Sequence, residues 1–143
     1  MEINVCNAIN LKGKKFPFEL NEKILYNDER IQFEKPFSVK GEYYFNGQSI
    51  NISLNVIGNI SYFCDRCGDE STFDINLIAE ERVFPEGTED CEYTYEKGLI
   101  NLDDMVFHNV LLNLPMQLLC NENCKGICLD CYANLNREEC KCK

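Results

Sequence analysis

Six of the ten cysteines in this 143-residue chain fall within its last 24 residues, spaced Cys120-x3-Cys124-x3-Cys128-x2-Cys131-x8-Cys140-x-Cys142. Thiolates this close in sequence converge on one tetrahedral ion with little backbone strain. Beyond Pro115 the chain offers only Met116, Leu118, Leu119, Ile127, Leu129, Tyr132, Ala133 and Leu135 as apolar matter. A piece that small does not fold on a core of its own. Something other than apolar burial must staple this end of the chain.

A further pair lies far upstream, in Cys64-Asp65-Arg66-Cys67-Gly68, so eight cysteines sort into four close pairs and Cys6 and Cys91 stand alone. Four pairs suffice for two four-thiolate sites. One partition joins Cys128, Cys131, Cys140 and Cys142 locally and sends Cys120 and Cys124 back to Cys64 and Cys67. The rival joins Cys120, Cys124, Cys128 and Cys131 and sends Cys140 and Cys142 upstream; spacing leaves both open. Gly68 suits a zinc knuckle, because it takes the positive φ that turns backbone N–H groups toward the sulfurs. The competing chemistry is thiol redox at Cys64 and Cys67, although the βαβ context of a thioredoxin-like unit is missing. The N-terminal stretch has no apolar h-region, and no run approaches the roughly 18 apolar residues of a membrane span. These features predict a cytoplasmic protein without a membrane partner, with reduced thiols and two structural Zn2+ ions.

The body predicts an α+β fold: an antiparallel β-sheet or partial barrel, one late helix, and the Cys-rich zinc-binding tail. Residues 1–114 form the β-rich domain with its C-terminal helix, and residues 115–143 form the tail packed upon it. Residues 16–20 read as an edge strand, since Pro17 cannot donate to a central ladder. Residues 37–45 place Phe37, Val39, Tyr43 and Phe45 on one side. Asn46-Gly47 signals a hairpin whose two residues both tolerate positive φ. The return strand alternates Ile50, Ile52, Leu54 and Val56 with polar residues, continues through Ile60 and Tyr62, and carries Gly58 as a candidate bulge. After the cysteine pair Phe73, Ile75, Leu77 and Ala79 alternate again, which puts Cys64 and Cys67 at a hairpin tip. An acidic loop over 85–92 leads to a strand at 92–96. A helix follows with Asn101 as its N-cap, Asp103 and Asp104 in its first turn, and Pro115 beyond its end.

Charge and motif content narrow the function classes. The net charge is −10, and residues 41–143 hold 18 Asp/Glu against seven Lys/Arg. So acidic a chain repels a phosphate backbone unless its cations gather on one face. Lys12, Lys14 and Lys15, followed by Phe16 and Phe18, are the one basic cluster with aromatics nearby and the candidate RNA contact. No Walker loop, G-x-G-x-x-G or G-x-S-x-G occurs, and no small-molecule substrate is implied. The single histidine, His108, reads as a helix-surface residue. Adjacent Asp103 and Asp104 diverge on a helix and are capping acids rather than a catalytic pair. No catalytic residues are assigned and no enzyme is expected.

The ordered motifs carry a resemblance. A C-x-x-C after the central strands, then YEKGLINLDDMV, a helix ending in LPMQLLC, and C-K-G-I-C-x-x-C-x-x-x-L-N-x-x-x-C-x-C together resemble the bacterial YceD family, also called the large ribosomal RNA subunit accumulation protein family. The likeness extends over residues 15–143. It implies a cytoplasmic, non-enzymatic factor supporting large-subunit ribosomal RNA processing or accumulation, with that RNA or a basic ribosomal protein as partner. The family's cysteines carry over onto Cys64, Cys67, Cys120, Cys124, Cys128, Cys131, Cys140 and Cys142, and its short following segment onto Asn134, Leu135 and Asn136. Two positions depart from the pattern: Leu129 stands where the family has Pro, and Tyr132 where it has Gly, which makes the second knuckle's turn harder. A zinc-ribbon adaptor unrelated to ribosomes is the competing binding-module reading.

Overall fold

The computed structural model describes residues 1–24, 26 and 28–142. Its organising element is a long hairpin of β5 (Ile50–Phe63) and β6 (Glu70–Pro85), paired antiparallel from Ile50↔Val83 to Phe63↔Glu70. Fourteen residues of strand span about 46 Å. β4 (Phe37–Phe45) covers the other edge of β5 only from Ile50 to Ile57, and short β3 (Ile31–Gln32) pairs with Tyr62 and Ser61. β2 (Phe16–Glu22) forms the outer edge beyond β4, where Pro17 sits without breaking a central ladder. The hairpin tip therefore carries residues 64–69 to one end of the sheet.

The alternation expected along β5 holds: Ile50, Ile52, Leu54, Val56, Ile60 and Tyr62 are buried and meet Phe37, Val39, Tyr43, Ile75, Leu77 and Val83 in one core. The late helix, α2 (Asp103–Leu112), closes that core with Met105, Val106 and Val110. Asn109 donates to Glu81 Oε1 at 3.1 Å and ties the helix to β6. Phe107 meets Phe33, which in turn meets Phe37 with ring centroids 5.6 Å apart. Among the described residues no helix is long and apolar enough to cross a membrane.

Several local expectations change. Gly58 is not a bulge, because β5 and β6 keep one unbroken register through Gly58↔Ile75. A Cβ at Gly58 would stand 2.5 Å from Phe37 Cδ1, so the glycine makes room for a fully buried ring. The β4–β5 turn has four residues, with Gly47 at φ 100° and the Asn46 side chain accepting from Gln48 N and Ser49 N. Asn46 thus works as an acceptor, not as a second positive-φ residue. The helix N-cap is the buried Leu102, while Asn101 ends β8 (Leu99–Asn101) and its Oδ1 accepts from Asp103 N at 2.9 Å.

The sheet is also mixed rather than wholly antiparallel. β7 (Tyr93–Tyr95) runs parallel to β6, since the acidic loop carries the chain back before β7 begins. The N-terminal segment, without a periodic signal of its own, supplies β1 (Glu2–Asn4) against β8 and α1 (Cys6–Asn10), which buries Ala8.

Gly58→Ala is expected to cost about 1–3 kcal/mol by overpacking against Phe37, read as a lower urea-denaturation midpoint. Adding Phe37→Leu should recover part of that loss, and an unchanged midpoint in Gly58→Ala would remove the close-approach explanation.

Candidate metal centres

At the hairpin tip the chain turns tightly enough to aim two sulfurs the same way. Cys64 N donates to Asp69 O and Gly68 N to Cys64 O at 3.0 Å, with Gly68 at φ 76°. The second knuckle repeats this turn. Cys128 N donates to Ala133 O, Tyr132 N donates to Cys128 O at 2.9 Å, and Tyr132 stands at φ 58°. A non-glycine residue there carries a conformational cost of about 1–2 kcal/mol. The family-like turn is therefore kept at the departing position, under strain.

Each knuckle meets a second pair. Cys64, Cys67, Cys120 and Cys124 lie with all four sulfurs within 4.8 Å of one another, and so do Cys128, Cys131, Cys140 and Cys142. Of the two partitions left open by spacing, the structure has the one that returns Cys120 and Cys124 to the hairpin. Sulfur separations are 3.6 Å for Cys64–Cys124 and Cys67–Cys120, 3.6 Å for Cys128–Cys142 and 3.9 Å for Cys131–Cys140. Four thiolates about 2.3 Å from one tetrahedral ion would stand about 3.8 Å apart. A disulfide needs about 2.05 Å. Both groups thus fit a tetrahedral metal ion, one per four sulfurs.

The two groups differ in surroundings. In the first, Cys64, Cys67 and Cys124 are buried and packed with Leu119 and Ile127. The backbone locks this junction: Asp65 N donates to Leu118 O, Leu118 N donates to Asp65 Oδ2, and Leu118 is buried. Tyr62 Oη donates to Leu119 O at 2.6 Å and Arg66 to Cys124 O at 3.0 Å. In the second group Cys140 and Cys142 are exposed, as are Leu129 and Tyr132.

The segment after the second knuckle leans on the first group. Asn136 Nδ2 donates to Cys124 Sγ at 3.2 Å, Asn136 Oδ1 accepts from Lys125 N, and Asp69 Oδ2 accepts from Asn134 and from Arg137 at 2.7 Å. Asp69 and Arg137 were not singled out by sequence reasoning. Their link spans 68 residues and leaves no local pattern.

Thiol acidity within each group is split. Burial opposes ionisation of Cys64, yet backbone N–H groups of Cys67, Arg66 and Cys120 outweigh it and bring the thiol down to about 6. At Cys67 an N–H from Asp69 favours the thiolate, but burial and the neighbouring sulfurs push it up to about 12. The second group repeats the split. N–H groups of Lys141 and Ala133 bring Cys131 down to about 6, and the neighbouring sulfurs push Cys142 up to about 12. Crowded sulfurs cannot all ionise unaided, and a divalent cation removes that conflict.

The other candidates lie apart. Lys14 sits over the Phe16 ring, 5.4 Å from its centroid, while Phe16 stacks on Tyr43 and Phe18 also meets Tyr43. Those rings serve sheet packing. Lys12 reaches across Gly47, and Lys15 lines a cleft on the sheet's outer face. His108 is exposed on α2 with Nδ1 3.3 Å from Tyr93 Oη.

Residues 52–143 match the family model described as "Large ribosomal RNA subunit accumulation protein YceD". The match starts later than the span of the motif resemblance, yet covers more than half of the chain. No curated protein and no solved structure matches.

Metal-loaded protein titrated with a chelator is expected to release its ions in two steps, the exposed group first, and to release them more readily as pH falls and thiolates reprotonate. Tyr132→Gly should delay the first step, because relief of about 1 kcal/mol corresponds to roughly fivefold tighter binding. A single step unaffected by Tyr132→Gly would show that the two groups are not distinct in this way.

Proposed function

The chain belongs to the YceD family, and from that premise we propose that it is a non-enzymatic, zinc-stabilised cytoplasmic factor supporting accumulation and processing of large-subunit ribosomal RNA. The observation that carries the zinc reading is the pair of four-sulfur groups with tetrahedral spacing. Soft thiolate donors in that geometry suit Zn2+. Four cysteines leave no open coordination position, so both ions are architectural. The Zn2+ ions would be held by Cys64, Cys67, Cys120 and Cys124 in one site and by Cys128, Cys131, Cys140 and Cys142 in the other. The first joins tail to hairpin, and the second folds the terminal loop.

The partner under this reading is the large-subunit RNA, or a basic protein bound to it. The split is physical. A net charge of −10 opposes extended contact with a phosphate backbone and favours cationic protein surfaces. Limited RNA contact remains compatible with that charge where cations and rings are locally gathered.

Two measurements test the proposal. Untagged protein purified without added metal should contain about two zinc ions per chain; metal-free protein with disulfides would favour thiol redox chemistry at Cys64 and Cys67. Depletion in cells should raise unprocessed large-subunit RNA and lower the mature form, and normal levels of both would sink the assembly role.

A further inference from the structure

The outer face of the sheet, opposite the core, carries a cleft of about 480 Å3 that includes Lys15, Glu42, Tyr44, Asn51, Glu80 and Arg82 in its lining. That volume lies within the usual range for small-ligand sites. Strand register explains the order of these groups. Tyr44 pairs with Asn51 and Asn51 with Arg82, while Glu42 pairs with Ser53 and Ser53 with Glu80. Phe16 pairs with Tyr43, so the preceding Lys15 falls beside Tyr44. One row across the sheet therefore reads cation, ring, amide, cation. The adjacent row presents two carboxylates flanking a serine. The rows lie two residues apart along each strand, about 7 Å, and the first spans about 14 Å from Lys15 to Arg82.

These groups are uncommitted. Among the described residues no ion pair engages Lys15, Glu42, Glu80 or Arg82. Asn51 Nδ2 is buried and has no hydrogen-bond partner, and rotation of this half-buried side chain toward an acceptor in the cleft would supply one. Mixed charge at close quarters suits neither a plain phosphate nor a plain cation. It suits an unpaired base with its backbone. The Tyr44 ring offers a stacking face, the amide and carboxylates meet base-edge groups, and the terminal cations meet phosphates.

We propose that this cleft binds an unpaired nucleotide of single-stranded RNA, with Tyr44 stacking on the base, Asn51, Glu42 and Glu80 reading its edge, and Lys15 and Arg82 holding the flanking phosphates. This deepens the ribosomal-RNA reading and rests on it for the choice of nucleic acid. Carboxylates accept from exocyclic amino groups, which cytosine has and uracil lacks. The site therefore discriminates against uracil.

The test uses the metal-loaded protein with fluorescent octamers of cytidine and of uridine. The cytidine octamer should bind about tenfold tighter, with log K falling against log salt at a slope of about −1.4 for two phosphate contacts. Tyr44→Ala should weaken its binding about tenfold. Glu80→Gln, at an exposed position that leaves the core untouched, should narrow the cytidine-over-uridine ratio. Backbone amide resonances of Asn51 and Ser53 should move on adding the octamer. Equal binding of both octamers, or shifts confined to residues 120–142, overturns the proposal. So does an arginine-rich peptide that moves these resonances where the octamer does not, which would make the cleft a protein site. In depleted cells, rescue of precursor processing by the Tyr44→Ala and Glu80→Gln chains would reject the cleft's role while leaving the family function standing. Normal processing on depletion alone would do the reverse.

Discussion

The rest of the structure depends on one junction, where Cys120 and Cys124 come within 3.6 Å of Cys67 and Cys64. Among the described residues beyond Pro115 the only buried hydrophobic ones are Leu118, Cys124 and Ala133. Each hydrogen bond at the junction contributes about 0.5–1.5 kcal/mol, little against the entropy of ordering more than twenty residues at about 1–2 kcal/mol each. A thiolate-bound structural ion is worth about 10–16 kcal/mol in small modules. On these magnitudes the hydrogen bonds between Asp65 and Leu118 orient the tail, and an ion in the four-sulfur group would hold it.

The two knuckles show one backbone turn used in two ways. At the first, Asp65 accepts and donates across to Leu118, and the turn becomes a seat for the incoming chain. At the second, the corresponding Leu129 is 88% exposed and has no such backbone partner among the described residues. The pair are nevertheless coupled. Asn136 reaches Cys124 Sγ, and Arg137 reaches Asp69, so the segment closing one group also lines the other.

Much of this was legible from residues alone, for identifiable reasons. Alternation from Ile50 to Val56 reports a half-buried strand directly, because side chains on a strand alternate between faces. Paired cysteines report candidate metal sites because ligand spacing is set by bond length. What was hidden depends on distant partners. Gly58 signals equally a bulge or a close approach, and only the Phe37 ring decides between them. β1 has three residues and no period of its own, and it exists because β8 offers an edge. The parallel pairing of β7 follows from where the acidic loop returns the chain. The cleft row from Lys15 to Arg82 draws on three strands and the residue that precedes a fourth, and no linear motif could contain it.

The long sequence separation across the first four-sulfur group also sets an order of events during synthesis. The hairpin bearing Cys64 and Cys67 is complete once β6 has emerged, whereas its partners at Cys120 and Cys124 follow 53 to 60 residues later. N-terminal parts of a chain fold first, so the sheet forms with two thiols at its tip and an empty seat for Leu118. Metal uptake by the four-sulfur group would then be a finishing step. A cell short of the ion would accumulate folded sheets with undocked tails, and the supply of usable protein would follow metal supply rather than translation alone.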